Sequence, residues 1–191
     1  MRFKQVAVAT ALVTTLATPA LAEIDSGLAC GNGELFLTLI DSVGTTSASF
    51  DLGVTMDAFL AGFGTSGATF SRDIGSVTNW NTFFSTAAGR GGSTASTKWS
   101  IVALDGDGDG FVANTLRILT TSATAVGANP GNSGQLFQDA MGFIGSSYLG
   151  AINALPGQSG TANGSNVSIA GTSAYAEQGA NINFDPKLDN A

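Results

Sequence analysis

The chain of 191 residues contains no histidine and a single cysteine. Without an imidazole, the Ser-His-Asp and Cys-His catalytic mechanisms, histidine-based zinc sites and a histidine pH switch are excluded. One cysteine cannot form a disulfide within the chain. Cys30 is therefore either buried or able to link two copies, and we expect it to be buried.

Basic residues are also scarce, with seven Lys and Arg against fourteen Asp and Glu. Two of the seven, Arg2 and Lys4, precede an apolar stretch at Val6–Leu16, and the small residues of Ala20-Leu21-Ala22 follow it. This pattern predicts a secretory signal peptide over residues 1–22, with an apolar part too short to span a bilayer. We therefore expect an exported, acidic mature chain without a membrane span. Its charge argues against binding to nucleic acid or to anionic membranes.

Alternating apolar residues predict several strands. Glu34–Asp41 is apolar on both sides, which indicates a strand covered on both faces. In Ser49–Met56 the pattern places Phe50 inward and residues such as Ser49 and Asp51 outward. A short strand is predicted at Ala68–Ile74. Lys98–Ser122 reads as two strands joined by an acidic loop.

Helical spacing appears in two places. Aromatic and small residues recur at helical intervals in Thr78–Ala88, where Asn79 or Thr78 is placed to cap the start. Gln135–Leu155 predicts one long helix or two short ones, with a break near Gly145 because glycine weakens a helix. Asp57 is placed to cap a further short helical turn.

Together these elements predict a mainly β fold, an antiparallel β-sandwich with one or two helical insertions; an α+β fold is the alternative. The expected organisation is a signal peptide at 1–22 and a β-rich domain at 23–156. A Gly/Ser/Asn-rich segment follows at 157–191, either poorly ordered or part of an incomplete sandwich, with a possible strand at Asn166–Ala170.

The acidic loop is the stretch that most suggests chemistry. Asp105, Asp107 and Asp109, each followed by glycine, match positions 1, 3 and 5 of a calcium loop, and the Phe111 backbone carbonyl would be at position 7. Position 12 is Leu116 where an EF-hand has glutamate, and the flanks are strands, so the motif is not an EF-hand. A Ca²⁺ site here needs a further carboxylate from elsewhere. The alternative is a solvated hairpin turn.

The sequence also offers candidates for two other kinds of site. Paired carboxylates could serve glycoside hydrolysis, although every candidate is explained equally well as a strand-end, cap or turn residue; the candidates are Glu34, Asp41, Asp51, Asp57 and Asp73. Exposed aromatic residues could stack on sugars, and the candidates are Trp80, Trp99 and Tyr148. Burial of the two tryptophans would favour a structural role.

Four segments form a recognisable set: ELFLTLIDS (34–42), SFDLGVTMDAF (49–59), KWSIVALDG (98–106) and RILTTS (117–122). Together they resemble exported bacterial proteins that are substrates of the PEP-CTERM/exosortase sorting system. The resemblance implies export to the cell surface or matrix, often alongside exopolysaccharide, with no established enzymatic role. Such proteins end in a Pro-Glu-Pro motif, an apolar helix and a basic tail, whereas this sequence ends in FDPKLDNA.

The expected function is therefore that of a secreted, non-catalytic surface or biofilm-matrix protein, stabilised by calcium if the acidic loop binds it. Exopolysaccharide and self-association through sheet edges are the candidate interactions. A carbohydrate-binding module is the alternative.

Overall fold

The computed structural model describes residues 23–27, 31–63, 69–75, 77–105, 117–121, 143–161 and 163–176. The segment predicted to be a signal peptide and Cys30 lie outside these residues.

Five strands form one sheet. They are β1 (Glu34–Asp41), β2 (Thr46–Thr55), β3 (Thr97–Asp105), β4 (Arg117–Thr120) and β5 (Ser165–Ile169). Their order across the sheet is β4-β3-β1-β2-β5, and each neighbouring pair is antiparallel. β1 is the central strand, and the apolar residues on both of its faces are buried. Its two-sided apolar sequence predicted this position.

The helical segments are α1 (Met56–Phe63), α2 (Thr78–Gly89), a 3₁₀ turn (Thr94–Ser96), a π-helix (Phe143–Tyr148) and α3 (Leu149–Asn153). The predicted helix at Thr78–Ala88 is confirmed. In the described part of Gln135–Leu155, the π-helix runs directly into α3, so residues 143–153 are helical without a gap and the break expected near Gly145 is absent there.

One face of the sheet packs against α1 and α2, and we call it the α2 face. Its core joins apolar side chains of β1, β2 and β3 to Phe83, which is completely buried on α2. An aromatic cluster continues from this core, because Trp80 contacts both Phe50 and Phe84, with ring centroids 6.2 Å and 5.1 Å apart. This face is held by apolar burial.

The opposite face packs against the π-helix and α3, and we call it the Tyr148 face. Phe36, Ile40 and Leu104 contribute to its core beneath Tyr148 and Ile152. Four polar residues, one from each of four neighbouring strands, also form a row across this face. The strand register places them directly opposite one another; they are Ser100, Thr38, Ser49 and Asn166. All four are buried.

The mainly β prediction with helical insertions is confirmed. Within the described ranges there is one sheet with helical segments on both faces, so a two-sheet sandwich is not confirmed. The possible strand at Asn166–Ala170 corresponds to β5, which pairs with β2. The predicted C-terminal segment therefore supplies an edge of the same sheet.

Four local predictions were wrong. Asp57 does not cap α1 but lies in its first turn, and the Thr55 hydroxyl accepts the Ala58 N–H at 3.4 Å.

Residues 69–74 form no strand, and Phe70 packs edge-on against Phe59 of α1, with ring centroids 5.6 Å apart. Asn79 does not cap α2; its amide donates to the Ser165 carbonyl at 2.6 Å, tying α2 to β5. Ser49 and Asp51 were assigned to solvent but are buried on the Tyr148 face.

Candidate functional site at the end of β3

Asp105 is the last residue of β3, where its carboxylate is largely buried. Its Oδ1 accepts a hydrogen bond from the backbone N–H of Asn32 at 2.7 Å. Its Oδ2 is paired with the guanidinium of Arg117, which lies directly opposite on β4. Both carboxylate oxygens of this predicted calcium ligand are therefore engaged by donors from the chain itself.

Arg117 extends the contact into a closed network. Its Nη2 donates to Asp57 on α1 at 2.7 Å, and the Asp57 backbone N–H donates to the Asn32 side-chain oxygen at 2.8 Å. The hydrogen bonds to Asp57 and Asp105 raise the pKa of Arg117 above its ordinary value. The network joins β3, β4, α1 and the segment before β1, with an arginine in the position where a cation would neutralise Asp105.

The other predicted calcium ligands, Asp107, Asp109 and Phe111, lie outside the described residues. Among the residues that are described, no group of three or more His, Cys, Asp or Glu side chains is arranged to hold a metal ion. The structure thus places one of the four predicted ligands and gives it a protein partner.

Asp41 is a second buried carboxylate, at the end of β1. Its oxygens accept hydrogen bonds from the backbone N–H groups of Gly44 (2.6 Å) and Ser93 (2.9 Å) and from the Ser96 hydroxyl (2.8 Å). Burial alone would raise the pKa of Asp41, but these hydrogen bonds together lower it below its ordinary value. The backbone at Gly92 comes so close that a Cβ there would lie 2.5 Å from the carboxylate. Asp41 therefore joins the β1–β2 turn to the α2–β3 connection.

Asp51 has the corresponding role on the Tyr148 face. Its oxygens accept hydrogen bonds from the N–H groups of Gly53 (2.7 Å) and Asn163 (3.1 Å), the latter in the turn before β5. Burial raises the pKa of Asp51 despite these bonds. Burial also raises the pKa of Glu34, and the nearby charges of Asp51 and Asp25 add to that effect.

The hydrolase candidates are distributed among separate structural roles. Asp41 and Asp51 belong to opposite faces of the sheet, Asp57 pairs with Arg117, and Asp73 accepts the backbone N–H of Gly75 at 2.9 Å. Glu34 accepts the backbone N–H of Asp25 at 3.0 Å. Each described carboxylate of this set is thus bound to donors of the chain.

The three candidate aromatic residues differ in exposure. Trp99 on β3 is 44% exposed, Trp80 is half-buried in the aromatic cluster, and Tyr148 is 1% exposed. The Tyr148 hydroxyl lies 3.0 Å from that of Ser49. Burial raises the pKa of Tyr148 to about 12, although the hydroxyls of Ser49 and Thr38 act to lower it. Of these three aromatic residues, Trp99 alone offers an exposed side chain to a ligand.

Sequence reasoning missed Arg117 and Asn32. The signal for Arg117 was available, because a hairpin spanning the acidic loop pairs it with Asp105 once the register is fixed. Asn32 carries a weaker signal. It sits before a glycine and adopts a positive φ of 59°, which asparagine tolerates better than most residues.

Comparisons with known proteins add no identification: no family model, no curated protein and no solved structure matches the chain. None of the described helices is both long and apolar enough to cross a membrane.

Proposed function

We propose that the chain is a secreted, non-catalytic structural protein of a bacterial cell surface or extracellular matrix, such as a biofilm. The observation that carries this proposal is the use of the three buried aspartates. Asp41, Asp51 and Asp105 each accept a backbone N–H from a segment at least 52 positions away in sequence. Carboxylates bound in this way hold connections together and have few lone pairs left for acid–base chemistry.

The acidic composition of the mature chain fits export and solubility, and it favours attraction of cations. The leader-like segment and the resemblance to exosortase-sorted proteins point to the same compartment. Secretion is tested by expressing the full chain in a bacterium and sequencing the N-terminus of the exported form. The proposal predicts a mature protein beginning at Glu23, and retention in the cytoplasm with an intact N-terminus would contradict it.

Calcium is the ion that we propose for the acidic loop, with Asp107, Asp109 and the Phe111 backbone carbonyl as ligands. Asp105 is engaged by Asn32 and Arg117, and it would join them through the second lone pair that each of its oxygens retains. The test is a thermal melt with and without millimolar Ca²⁺, alongside calorimetric titration. Asp105→Asn is a poor probe, because it also disturbs Asn32 and Arg117. The double variant Asp107→Asn/Asp109→Asn is the matched test. A Ca²⁺-dependent rise in Tm that this variant abolishes supports the site; no heat and no rise in the wild type contradicts it.

The proposed surface contacts are exopolysaccharide and further copies of the chain. Self-association by strand addition is limited at β5. The hydrogen bonds that flank its pairing with β2, from Asp51 N–H to Gly164 and from Ala170 N–H to Thr45, turn the backbone of Ser165, Val167 and Ile169 outward. Neighbouring groups already bind both ends of that edge.

At Ser165, the N–H donates to Gly157 and the carbonyl accepts from Asn79. At Ile169, the carbonyl accepts from Thr172. Occupied edge groups oppose pairing with another chain. Light scattering over a range of protein concentrations tests this with the wild type and with Val167→Pro. If both proteins form the same dimer, that dimer does not use the β5 edge.

A carbohydrate-binding module is the second candidate, and the exposure of Trp99 favours it. Stacking on a sugar ring needs an aromatic face that is open to solvent. A binding screen against exopolysaccharide from the producing organism, with and without Ca²⁺, tests it using Trp99→Ala, with Trp80→Phe as the matched control. Loss of binding in the Trp99 variant alone supports the module. Equal binding by all three proteins removes Trp99 from the interaction.

A further inference from the structure

The chain contains two Asn-Gly dipeptides, Asn32-Gly33 and Asn163-Gly164. Both asparagines adopt a left-handed backbone, with φ of 59° and 52° respectively. The dipeptide is the one most open to intramolecular attack on an asparagine side chain, because glycine has no Cβ to hinder the approach of its nitrogen. The two sites therefore share sequence and local conformation, and they differ in the contacts around them.

At the first site the reacting groups are held. The Gly33 N–H donates to the Leu104 carbonyl at 2.9 Å, and the Asn32 side-chain oxygen accepts the backbone N–H of Asp57 at 2.8 Å. The asparagine amide and the glycine nitrogen are thus both fixed in hydrogen bonds that must break before they can react.

At the second site the corresponding groups make no hydrogen bond within the described residues, although Gly164 itself is buried. Asn163 is exposed, and the described residues provide no hydrogen-bond acceptor for the Gly164 N–H and no donor for the Asn163 side-chain oxygen. The contacts that do exist use other atoms: the Asn163 N–H donates to Asp51, and the Gly164 carbonyl accepts from Asp51.

From this difference we propose that Asn163 is a site of spontaneous deamidation and that Asn32 is protected from it by the fold. The proposal is independent of the proposed function. In the reaction the Gly164 nitrogen gives its proton to solvent base and bonds to Cγ of Asn163. The Cγ–Nδ2 bond breaks, and ammonia leaves with a proton from solvent. Water then adds to either carbonyl of the resulting cyclic imide and opens the ring to aspartate or isoaspartate.

The product places a new charge where the fold tolerates it poorly. Asn163 lies against Asp51, whose carboxylate is already buried and has a raised pKa, and its side-chain oxygen packs against Gly53, where an added Cβ would lie only 1.8 Å from it. Aspartate here repels Asp51. Isoaspartate also lengthens the backbone immediately before β5. We therefore expect modification to loosen the attachment of β5 to β2.

The test ages the purified full chain in mildly alkaline buffer and measures deamidation at residues 32 and 163 by peptide mapping, with isoaspartate counted separately. We expect the native rate at Asn163 to be about tenfold higher than at Asn32, because the hydrogen bonding that must break at Asn32 slows the reaction there. A parallel incubation in denaturant removes the fold, and the two rates should then converge. Equal native rates, a faster Asn32, no reaction at Asn163, or the same tenfold ratio in denaturant would each overturn the proposal.

A second measurement checks the consequence. Asn163→Asp reproduces one product, and aspartate accepts the left-handed conformation nearly as well as asparagine. We expect this variant and the aged protein to melt below the fresh wild type. If Asn163→Asp melts at the wild-type temperature, modification at this site does not loosen β5, and that part of the inference is wrong.

Discussion

The two faces of the sheet are buried by different means. The α2 face is filled by apolar and aromatic side chains, with Phe83 at its centre. The Tyr148 face combines an apolar half with the buried polar row, in which the side-chain oxygens of Thr38 and Ser100 and the Asn166 amide nitrogen find no hydrogen-bond partner of normal geometry in the described part of the chain. Apolar contacts stabilise regardless of orientation, whereas buried polar groups stabilise only when paired. Equivalent burial on the two faces should therefore contribute unequally to stability.

The largest effect is expected on the α2 face, from Phe83→Ala. This change removes a completely buried ring and its edge-on contact with Phe84, whose centroid lies 4.9 Å away. It should lower the free energy of unfolding by about 3–5 kcal/mol. Urea denaturation measures the loss, and Phe83→Leu is the control that restores most of the volume. A loss below about 1 kcal/mol would mean that this face is not the principal core.

Asp41→Asn should follow, at about 2–3 kcal/mol, because the new NH₂ group cannot accept the hydrogen bonds made by Ser93 and Ser96. The pKa of Asp41 is lowered, so its contribution is present above the ordinary value of 3.8 and disappears as the pH falls through the lower folded-state value. Denaturation curves of both proteins at neutral and strongly acidic pH should converge in acid. A constant difference across pH would contradict this explanation.

On the Tyr148 face, Tyr148→Phe should cost about 1 kcal/mol, since it removes one hydroxyl and leaves that of Ser49 without its partner. The double variant Tyr148→Phe/Ser49→Ala removes both groups and should recover part of the loss. If the loss in the double variant equals or exceeds the sum of the two single losses, the pair makes no favourable contribution to the fold. Thermal and urea melts of the four proteins complete this cycle.

Glu34→Gln should stabilise the protein at neutral pH by less than about 1 kcal/mol. The pKa of Glu34 is raised by burial and by nearby carboxylates, so the protonated form suits the fold. The stability contributed by protonated Glu34 is fully present below its ordinary pKa of 4.5 and is lost as the pH rises through its higher folded-state pKa. The advantage of glutamine should therefore vanish in acid. A destabilised variant at neutral pH would show that the ionised form is preferred.

The smallest effect is expected from Thr38→Val, which keeps the shape of a buried side chain whose hydroxyl lies near that of Tyr148 but makes no well-formed hydrogen bond with the described residues. Removing that hydroxyl should raise the free energy of unfolding by up to about 1 kcal/mol. Ser100→Ala offers the same comparison in the neighbouring strand, with a small cavity as its drawback. Destabilisation by Thr38→Val would mean that the hydroxyl is paired and that the contrast between the two faces is weaker than described.

Much of the sheet could be predicted because its strands carry strong local patterns. Glu34–Asp41 was predicted with its observed bounds and its two buried faces. The errors arose where one strand was interpreted alone. Ser49 and Asp51 alternate with apolar residues as solvent-facing residues do, but they are covered by Tyr148 and by the turn at Asn163. Those covering residues come about a hundred positions later, and a local pattern carries no information about them.

The candidate site shows the same limit. The acidic loop was visible in the sequence, and Asp105 does end a strand as predicted. Its engagement by Arg117 and Asn32 depends on strand register and on the backbone before β1, which spacing alone does not specify. Glu34 and Asp41 do lie at strand ends and Asp73 lies in a turn, whereas Asp51 lies within β2 and Asp57 within α1. The long-range partners were missing from the prediction.

Amide hydrogen exchange gives the most direct test of the idea that buried aspartates hold the connections of this protein. The N–H groups of Asn32, Ser93 and Asn163 lie outside the strands, and each donates to one aspartate, respectively Asp105, Asp41 and Asp51. We predict that all three exchange slowly by NMR, and that Asp41→Asn selectively removes the protection at Ser93. Exchange of these three amides at the rates of an unfolded chain would contradict the account.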